Sequence, residues 1–209
     1  VVVADSTADA AAALVDAQRV ITETAADTPR SVAFMFAGGG AQHPNMGRGL
    51  YDSEPVYRKA VDECLAILLS KLKLDLKPLL FPAAGQEEAA AEKLQRPSLA
   101  LPALLTTQYA QAKLWQSWGV EPTAMIGHSM GEYTAAHLAG VFSLADALTL
   151  VELRGRLFET LPEGAMLSVP LSEAELLPLL TADLADLSIG VINGPRLCVA
   201  SGPVASIEA

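Results

Sequence analysis

Ser129 is the residue whose neighbours best equip it for covalent chemistry. It stands in Gly127-His128-Ser129-Met130-Gly131, after the short apolar run Thr123 to Ile126 and before a small-residue helical stretch, Met130 to Ala139. A serine between a strand and a helix occupies a sharp turn with strained dihedrals, and side chains at the two flanking glycine positions would clash there. The hydroxyl then stands at a helix N-terminus, where backbone N–H groups and the helix dipole favour a developing oxyanion. The chemistry implied is nucleophilic attack on an acyl carbon, leaving an ester on the serine. Such a serine normally needs a histidine within hydrogen-bond reach. None of the three histidines fits well. His128 should point away from the Ser129 hydroxyl, His137 reads as a packing or surface residue, and His43 follows a glycine loop.

That loop is the second feature. Gly38-Gly39-Gly40-Ala41-Gln42 follows an apolar segment, residues 31–37. Consecutive glycines let a backbone approach a ligand and expose its N–H groups. A phosphate loop would continue with Gly-Lys-Ser/Thr, whereas this one continues Gln42-His43-Pro44. The loop is then either an ordinary strand-ending turn or part of an oxyanion hole, with the N–H of Gln42 pairing with the N–H of Met130, the residue after the nucleophile.

Arg154 is the third. On the helix expected from Ser143 to Glu159, Leu144, Ala147, Leu148, Val151 and Phe158 share one face, and Arg154 falls on its margin. Arg156 falls opposite, with Glu152 four residues before it as a surface ion pair. An arginine turned toward a core requires an anion. That anion is either an acidic residue of this chain or the carboxylate of a substrate, which a guanidinium fork binds in two places.

Elements that can position these groups follow from the patterning. Val1 to Ala4 is strand-like, an Ala-rich acidic amphipathic stretch runs to about Thr24, and 25–30 reads as a linker. Residues 31–37 form a buried strand. Helices are expected over Asp52 to Leu69, with Ser53 as N-cap and Pro55 in the first turn, and over Pro102 to Trp118. Between them, Gly85 to Arg96 is polar and charged. Ser143 with Asp146 and Ser172 with Glu175 are capping boxes. Beyond Pro162 come a strand (165–169), a short helix (172–180), strands at 187–192 and 197–200 around an Asn193-Gly194-Pro195 turn, and the start of a helix. This is most of a split βαβ unit.

Bulk properties narrow the class. The 209 residues are 51% hydrophobic and 18% charged, which excludes a disordered chain. A net charge of −10 argues against a nucleic-acid partner. The cations Lys71, Lys73 and Lys77 cluster locally, as a solvated face or a contact for an acidic partner. No apolar run has the length of a membrane span, and no signal peptide is visible. Cys64 and Cys198, far apart in apolar patterns, read as buried thiols of a cytoplasmic protein. No metal site is expected.

Taken together, Phe36-Ala37-Gly38-Gly39-Gly40-Ala41-Gln42, Pro102-Ala103-Leu104-Leu105, Gly127-His128-Ser129-Met130-Gly131-Glu132 and Leu153-Arg154-Gly155-Arg156 resemble the acyltransferase domains of type I modular polyketide synthases, related to malonyl-CoA:acyl carrier protein transacylases. The resemblance implies an α/β fold. An α/β-hydrolase-like large subdomain (30–160, its N-terminal part) would carry an inserted, incomplete ferredoxin-like small subdomain (161–209). Residues 1–29 would be the linker from a preceding ketosynthase. It implies that Ser129 takes an acyl group from an acyl-CoA, that Gln42 and Met130 form the oxyanion hole, and that Arg154 holds the free carboxylate of a malonyl-type extender. The acyl group would then pass to the phosphopantetheine of an acyl carrier protein, with no bound cofactor. An apolar Met130 goes in this family with malonyl rather than methylmalonyl. The sequence departs from the family pattern at Gly39 and Leu101, where glutamine is usual, and it stops before the position of the family's catalytic histidine. Two rival readings are a general serine esterase of α/β-hydrolase type and a non-catalytic fragment.

Overall fold

In a computed structural model, residues 1–24, 30–180 and 184–209 are described. The expected linker at 25–30 therefore lies, except for Arg30, outside the described residues.

The first three quarters of the chain combine two strands with helices. It runs α1 (Thr7–Leu14), β1 (Ala33–Phe36), α2 (Arg48–Ser53), α3 (Pro55–Leu72), α4 (Lys77–Leu80), α5 (Glu87–Lys93), α6 (Pro97–Ser117), β2 (Ala124–Gly127), α7 (Gly131–Leu138) and α8 (Leu144–Phe158). The remainder is β3 (Gly164–Val169), α9 (Glu173–Leu176), a 3-10 turn at 177–179, β4 (Ser188–Gly194), β5 (Leu197–Pro203) and α10 (Val204–Glu208). Strands β1 and β2 pair in parallel, Ala33 against Ala124 through Phe36 against Gly127. Strands β3, β5 and β4 form a separate antiparallel sheet in that order.

Three helices make the core. α6 is buried along most of its length, and Leu104 and Leu105 meet Tyr57, Val61 and Leu68 of α3 and Leu148 and Val151 of α8 in one apolar cluster. Each such fully buried side chain contributes about 1.5–3 kcal/mol over leaving it in water. This explains why α6 starts at Pro97 and runs through Pro102 instead of starting there. The one lost backbone hydrogen bond is offset by an apolar surface continuous across the proline.

Several expected boundaries move. Val1 to Ala4 form no strand; the segment is tied instead by Val1 and Ile21 exchanging backbone hydrogen bonds, and α1 stops at Leu14. Ser53 is not an N-cap. It ends α2, its hydroxyl donating to Gly49 O, while Glu54 caps α3 and Pro55 takes the first helical position. The polar stretch 85–96 contains α5. Asn193 and Gly194 belong to β4, and the hairpin turns on Pro195 and Arg196, with Gly194 paired to Leu197. Both capping serines are found where expected. Ser172 and Glu175 make the complete box, and Ser143 accepts from Asp146 N–H at 3.1 Å.

α8 is held against the start of α6 at its last turn. A Cβ built on Gly155 would lie 2.4 Å from Pro97 O, so only glycine permits this crossing. Beside it, Glu159 accepts from Ser98 N–H at 2.9 Å and from Arg96 at 2.9 Å. Hydrogen bonding from the Ser98 side chain, then its N–H and the Arg96 guanidinium, outweighs partial burial and lowers the Glu159 carboxyl to about 2. A depressed carboxyl stabilises the fold above its unfolded value of 4.5, and that stabilisation is lost as pH falls through about 2. Glu159→Gln should therefore cost about 1–2 kcal/mol at neutral pH, the size of a charge-assisted hydrogen bond. The gap to the parent should close between pH 4.5 and 2. Urea melts at stepped pH check this, and a pH-independent gap would contradict it.

Candidate active site

The parallel pairing of β1 and β2 brings the two glycine motifs together. Both leave the carboxyl ends of neighbouring strands, where open α/β sheets place their ligands. The ladder continues one step past the strand end, His128 N–H donating to Phe36 O at 2.9 Å. The approach is close enough to exclude side chains. A Cβ on Gly131 would lie 2.2 Å from Phe36 O, and one on Gly127 would lie 2.1 Å from Glu132 N. One on Gly38 would fall 2.8 Å from His128 Nδ1 and 3.3 Å from Ser129 Cβ, so the glycine loop begins against the serine itself.

Ser129 has φ +50°, a left-handed conformation rare for a residue with a side chain and costing about 1–3 kcal/mol. The turn is held by Gly131 N–H on His128 O at 2.9 Å and Glu132 N–H on Ser129 O at 3.1 Å. Met130 caps α7, and its side chain is 1% exposed in the helical core. Its burial anchors the turn from below.

The two N–H groups assigned to an oxyanion hole are unspent. Neither Gln42 N–H nor Met130 N–H donates to an acceptor among the described residues. The Gln42 side chain is used to shape the loop. Its Oε1 accepts from Gly40 N–H at 2.8 Å and its Nε2 donates to Leu94 O at 3.1 Å.

Arg154 reaches the serine, with Nη2 3.4 Å from Ser129 Oγ. It is half-buried at the edge of α8 rather than turned into the core, and no carboxylate pairs with it among the described residues. The structural ion pair considered for it is thus absent there. Two neighbours also differ from expectation. Glu152, placed on the surface by periodicity, is 9% exposed, while its partner Arg156 stands in solvent at 2.6 Å. Phe158, placed on the buried face, is 44% exposed.

No histidine ring hydrogen-bonds the Ser129 hydroxyl. His128 Nε2 bonds Asn193 Oδ1 at 3.2 Å, His137 Nδ1 bonds Phe142 O at 3.0 Å, and His43 Nδ1 bonds Pro44 O at 2.9 Å. The structure thus agrees with the expectation that His128 points away, and adds the reason: β4 supplies an acceptor for it.

Two site residues escaped the sequence reading. Gln108 in α6 donates from Nε2 to Ala37 O at 2.8 Å and accepts at Oε1 from the fully buried Thr134 hydroxyl at 2.8 Å. It ties the start of the glycine loop to the helix behind the serine. Asn193 brings the antiparallel sheet to the elbow through His128. Gln108 gave little signal, because it follows Thr106 and Thr107 and precedes Tyr109 and Gln111 in a mixed stretch of the helix. Asn193 gave none, because its turn-like neighbours hid it.

Comparison with known proteins shows the family. Residues 33–209 match the profile of the acyl transferase domain. The chain is 42% identical over 176 residues to the spectinabilin polyketide synthase system protein NorB of Streptomyces orinoci, covering 84% of this chain and 8% of that protein. Among solved structures, it is similar to the acyl transferase domain of ZmaA, with TM-score 0.85, 44% identity, and coverage of 92% of this chain and 45% of that one. It is equally similar in fold to the acyltransferase domain from the second module of the salinomycin polyketide synthase, with TM-score 0.85, 40% identity, and coverage of 100% and 49%. It thus spans under half the length of these solved domains and a small part of the synthase. On fold, motif geometry and sequence, the chain belongs to the acyl transferase domain family, in the form found in polyketide synthases.

Proposed function

We propose that Ser129 accepts a malonyl-type acyl group from a coenzyme A thioester and passes it to the phosphopantetheine thiol of an acyl carrier protein. The observation that carries this reading is the contact between Arg154 Nη2 and Ser129 Oγ at 3.4 Å. In a malonyl thioester the free carboxylate is one methylene from the reacting carbonyl. A guanidinium adjacent to the nucleophile holds that carboxylate while the carbonyl sits over Oγ. A longer diacid or a neutral ester gains nothing from it. The hydroxyl adds to the thioester carbonyl, and the oxyanion is stabilised by Gln42 and Met130 N–H. Collapse expels the CoA thiolate and leaves an acyl ester on Ser129, which the carrier thiol then attacks. Since no histidine of this chain reaches Ser129, we assign the general base to polypeptide outside it.

The same reading takes residues 30–160 as part of an α/β-hydrolase-like large subdomain, 161–209 as part of a ferredoxin-like small one, and 1–29 as linker to a ketosynthase. The antiparallel sheet with α9 and α10 supports the second assignment. An apolar residue at 130 favours malonyl over methylmalonyl. No helix among the described residues is long and apolar enough to cross a membrane, and both cysteines are buried free thiols, which supports a cytoplasmic setting.

Arg154→Ala tests the substrate class. Malonyl loading of Ser129 should fall by about 10²–10³-fold, as expected for losing a charged, bidentate contact, while acetyl loading should change less than threefold. Intact-mass kinetics with the two thioesters, on the chain supplied with the polypeptide that provides the base, are the measurement. Equal losses would refute the carboxylate role.

A further inference from the structure

The Arg154 guanidinium carbon lies over two aromatic rings, 5.1 Å from the centroid of Phe158 and 5.5 Å from that of Tyr133. Both distances are within the range in which the ring quadrupole attracts a cation. Phe158 is four residues after Arg154 on α8, the spacing that puts one side chain over another on a helix. Tyr133 comes from the first turn of α7, directly behind the serine.

These contacts account for two oddities. Phe158 is a large apolar side chain left 44% exposed at a helix end, although periodicity aimed it at the core. Arg154 is a half-buried cation with no carboxylate partner among the described residues. Each accounts for the other. The rings lie beside the guanidinium and supply diffuse negative potential without a carboxylate to occupy its N–H fork. An aspartate in that place would hold the charge more strongly, but it would also consume the fork. An arginine left in water would keep its donors free and lose its aim.

We infer that Phe158 and Tyr133 are positioning residues for Arg154, an aromatic mount that keeps the guanidinium edge turned to Ser129 with its donors open to a substrate carboxylate. The inference rests on the reading of Arg154 as that carboxylate's receptor. It goes further in stating that the selectivity for a carboxylated acyl group is set partly by two residues that never touch the substrate.

The test uses the chain carrying Ser129→Ala, so that thioesters bind without reacting. Affinities for malonyl-CoA and acetyl-CoA are measured by calorimetry, and their ratio is the readout. Loss of fold alone would weaken both ligands and leave the ratio in place. Adding Phe158→Leu should lower the ratio about threefold to tenfold, and Phe158→Trp, the stronger cation–π partner, should keep or raise it. Adding Arg154→Ala should bring the ratio to about one. A ratio that Arg154→Ala abolishes but Phe158→Leu leaves at the parent value overturns the aromatic mount alone. A parent chain that does not distinguish the two thioesters overturns the carboxylate reading and the mount with it. Phe158 is half in solvent at the helix end, so its replacement should spare the core.

Discussion

Ser129→Ala should abolish capture of an acyl group from malonyl-CoA, with a fall in rate on the order of 10⁶, the size seen when a serine nucleophile that works with its base is removed. The expected observation by intact mass is one malonyl group on the parent, supplied with the polypeptide that provides the base, and none on the variant. The geometry makes the prediction sharp. Ser129 is the hydroxyl at the elbow, and its Oγ is the one Arg154 reaches. Ser98, by contrast, is buried beside Glu159, to which its N–H donates. The substitution should not disturb folding. Alanine tolerates φ +50° about as well as serine, and the turn is held by backbone bonds on either side. Ser129→Cys should retain a nucleophile and accumulate a thioester. A malonyl adduct persisting on Ser129→Ala would place the nucleophile elsewhere and end the proposed mechanism.

The elbow was legible because its constraints are local. Two glycines, a serine, a strand before and a helix after fix a turn that few other residues can make, and the packing distances at Gly127 and Gly131 show why. Gln42 and Met130 were proposed from the same logic; their N–H groups have no acceptor among the described residues. Arg154 was legible as an anomaly, though for an imperfect reason. Periodicity placed it at the margin of a buried face, but α8 turns Glu152 inward and Phe158 outward. The tight crossing at Gly155 and the clamp at Glu159 rotate the helix relative to a simple apolar stripe. Such a rotation is set by the partner helix and leaves no periodic signature. The same holds for α6, where a proline that normally ends a helix is carried through by burial on all sides. Gln108 and Asn193 were missed because each works only through residues far away in sequence, 71 and 26 positions in one case and 65 in the other. At the N-terminus the strand-like valines had no sheet to join, and composition alone could not show that.

Gly131→Ala should be among the most damaging single-methyl changes in the chain. The added carbon would sit 2.2 Å from Phe36 O, 2.7 Å from Phe36 C and 2.9 Å from Ala37 O, all backbone atoms. No rotamer can relieve the conflict. Phe36 O is also the acceptor for His128 N–H, so moving it breaks the bond that ends the parallel ladder. The expected cost is about 3 kcal/mol or more, the range for overpacking that forces a backbone shift. In a chain of this size that lowers the melting temperature by about 6–12 °C. Gly49 offers the opposing case on the same molecule. It lies inside α2 with nothing within 4 Å of a built Cβ, so Gly49→Ala should stabilise by up to about 1 kcal/mol through helix propensity. Thermal melts of the two variants should therefore move in opposite directions. Parallel shifts would mean that both glycines act through the unfolded chain rather than through contact. Activity gives a second reading. Because the conflict is with the strand that leads into the glycine loop, a Cβ at 131 displaces the Gln42 donor and the serine turn together. Acyl capture should then fall even in protein that remains folded at low temperature, whereas Gly49→Ala should load Ser129 at the parent rate.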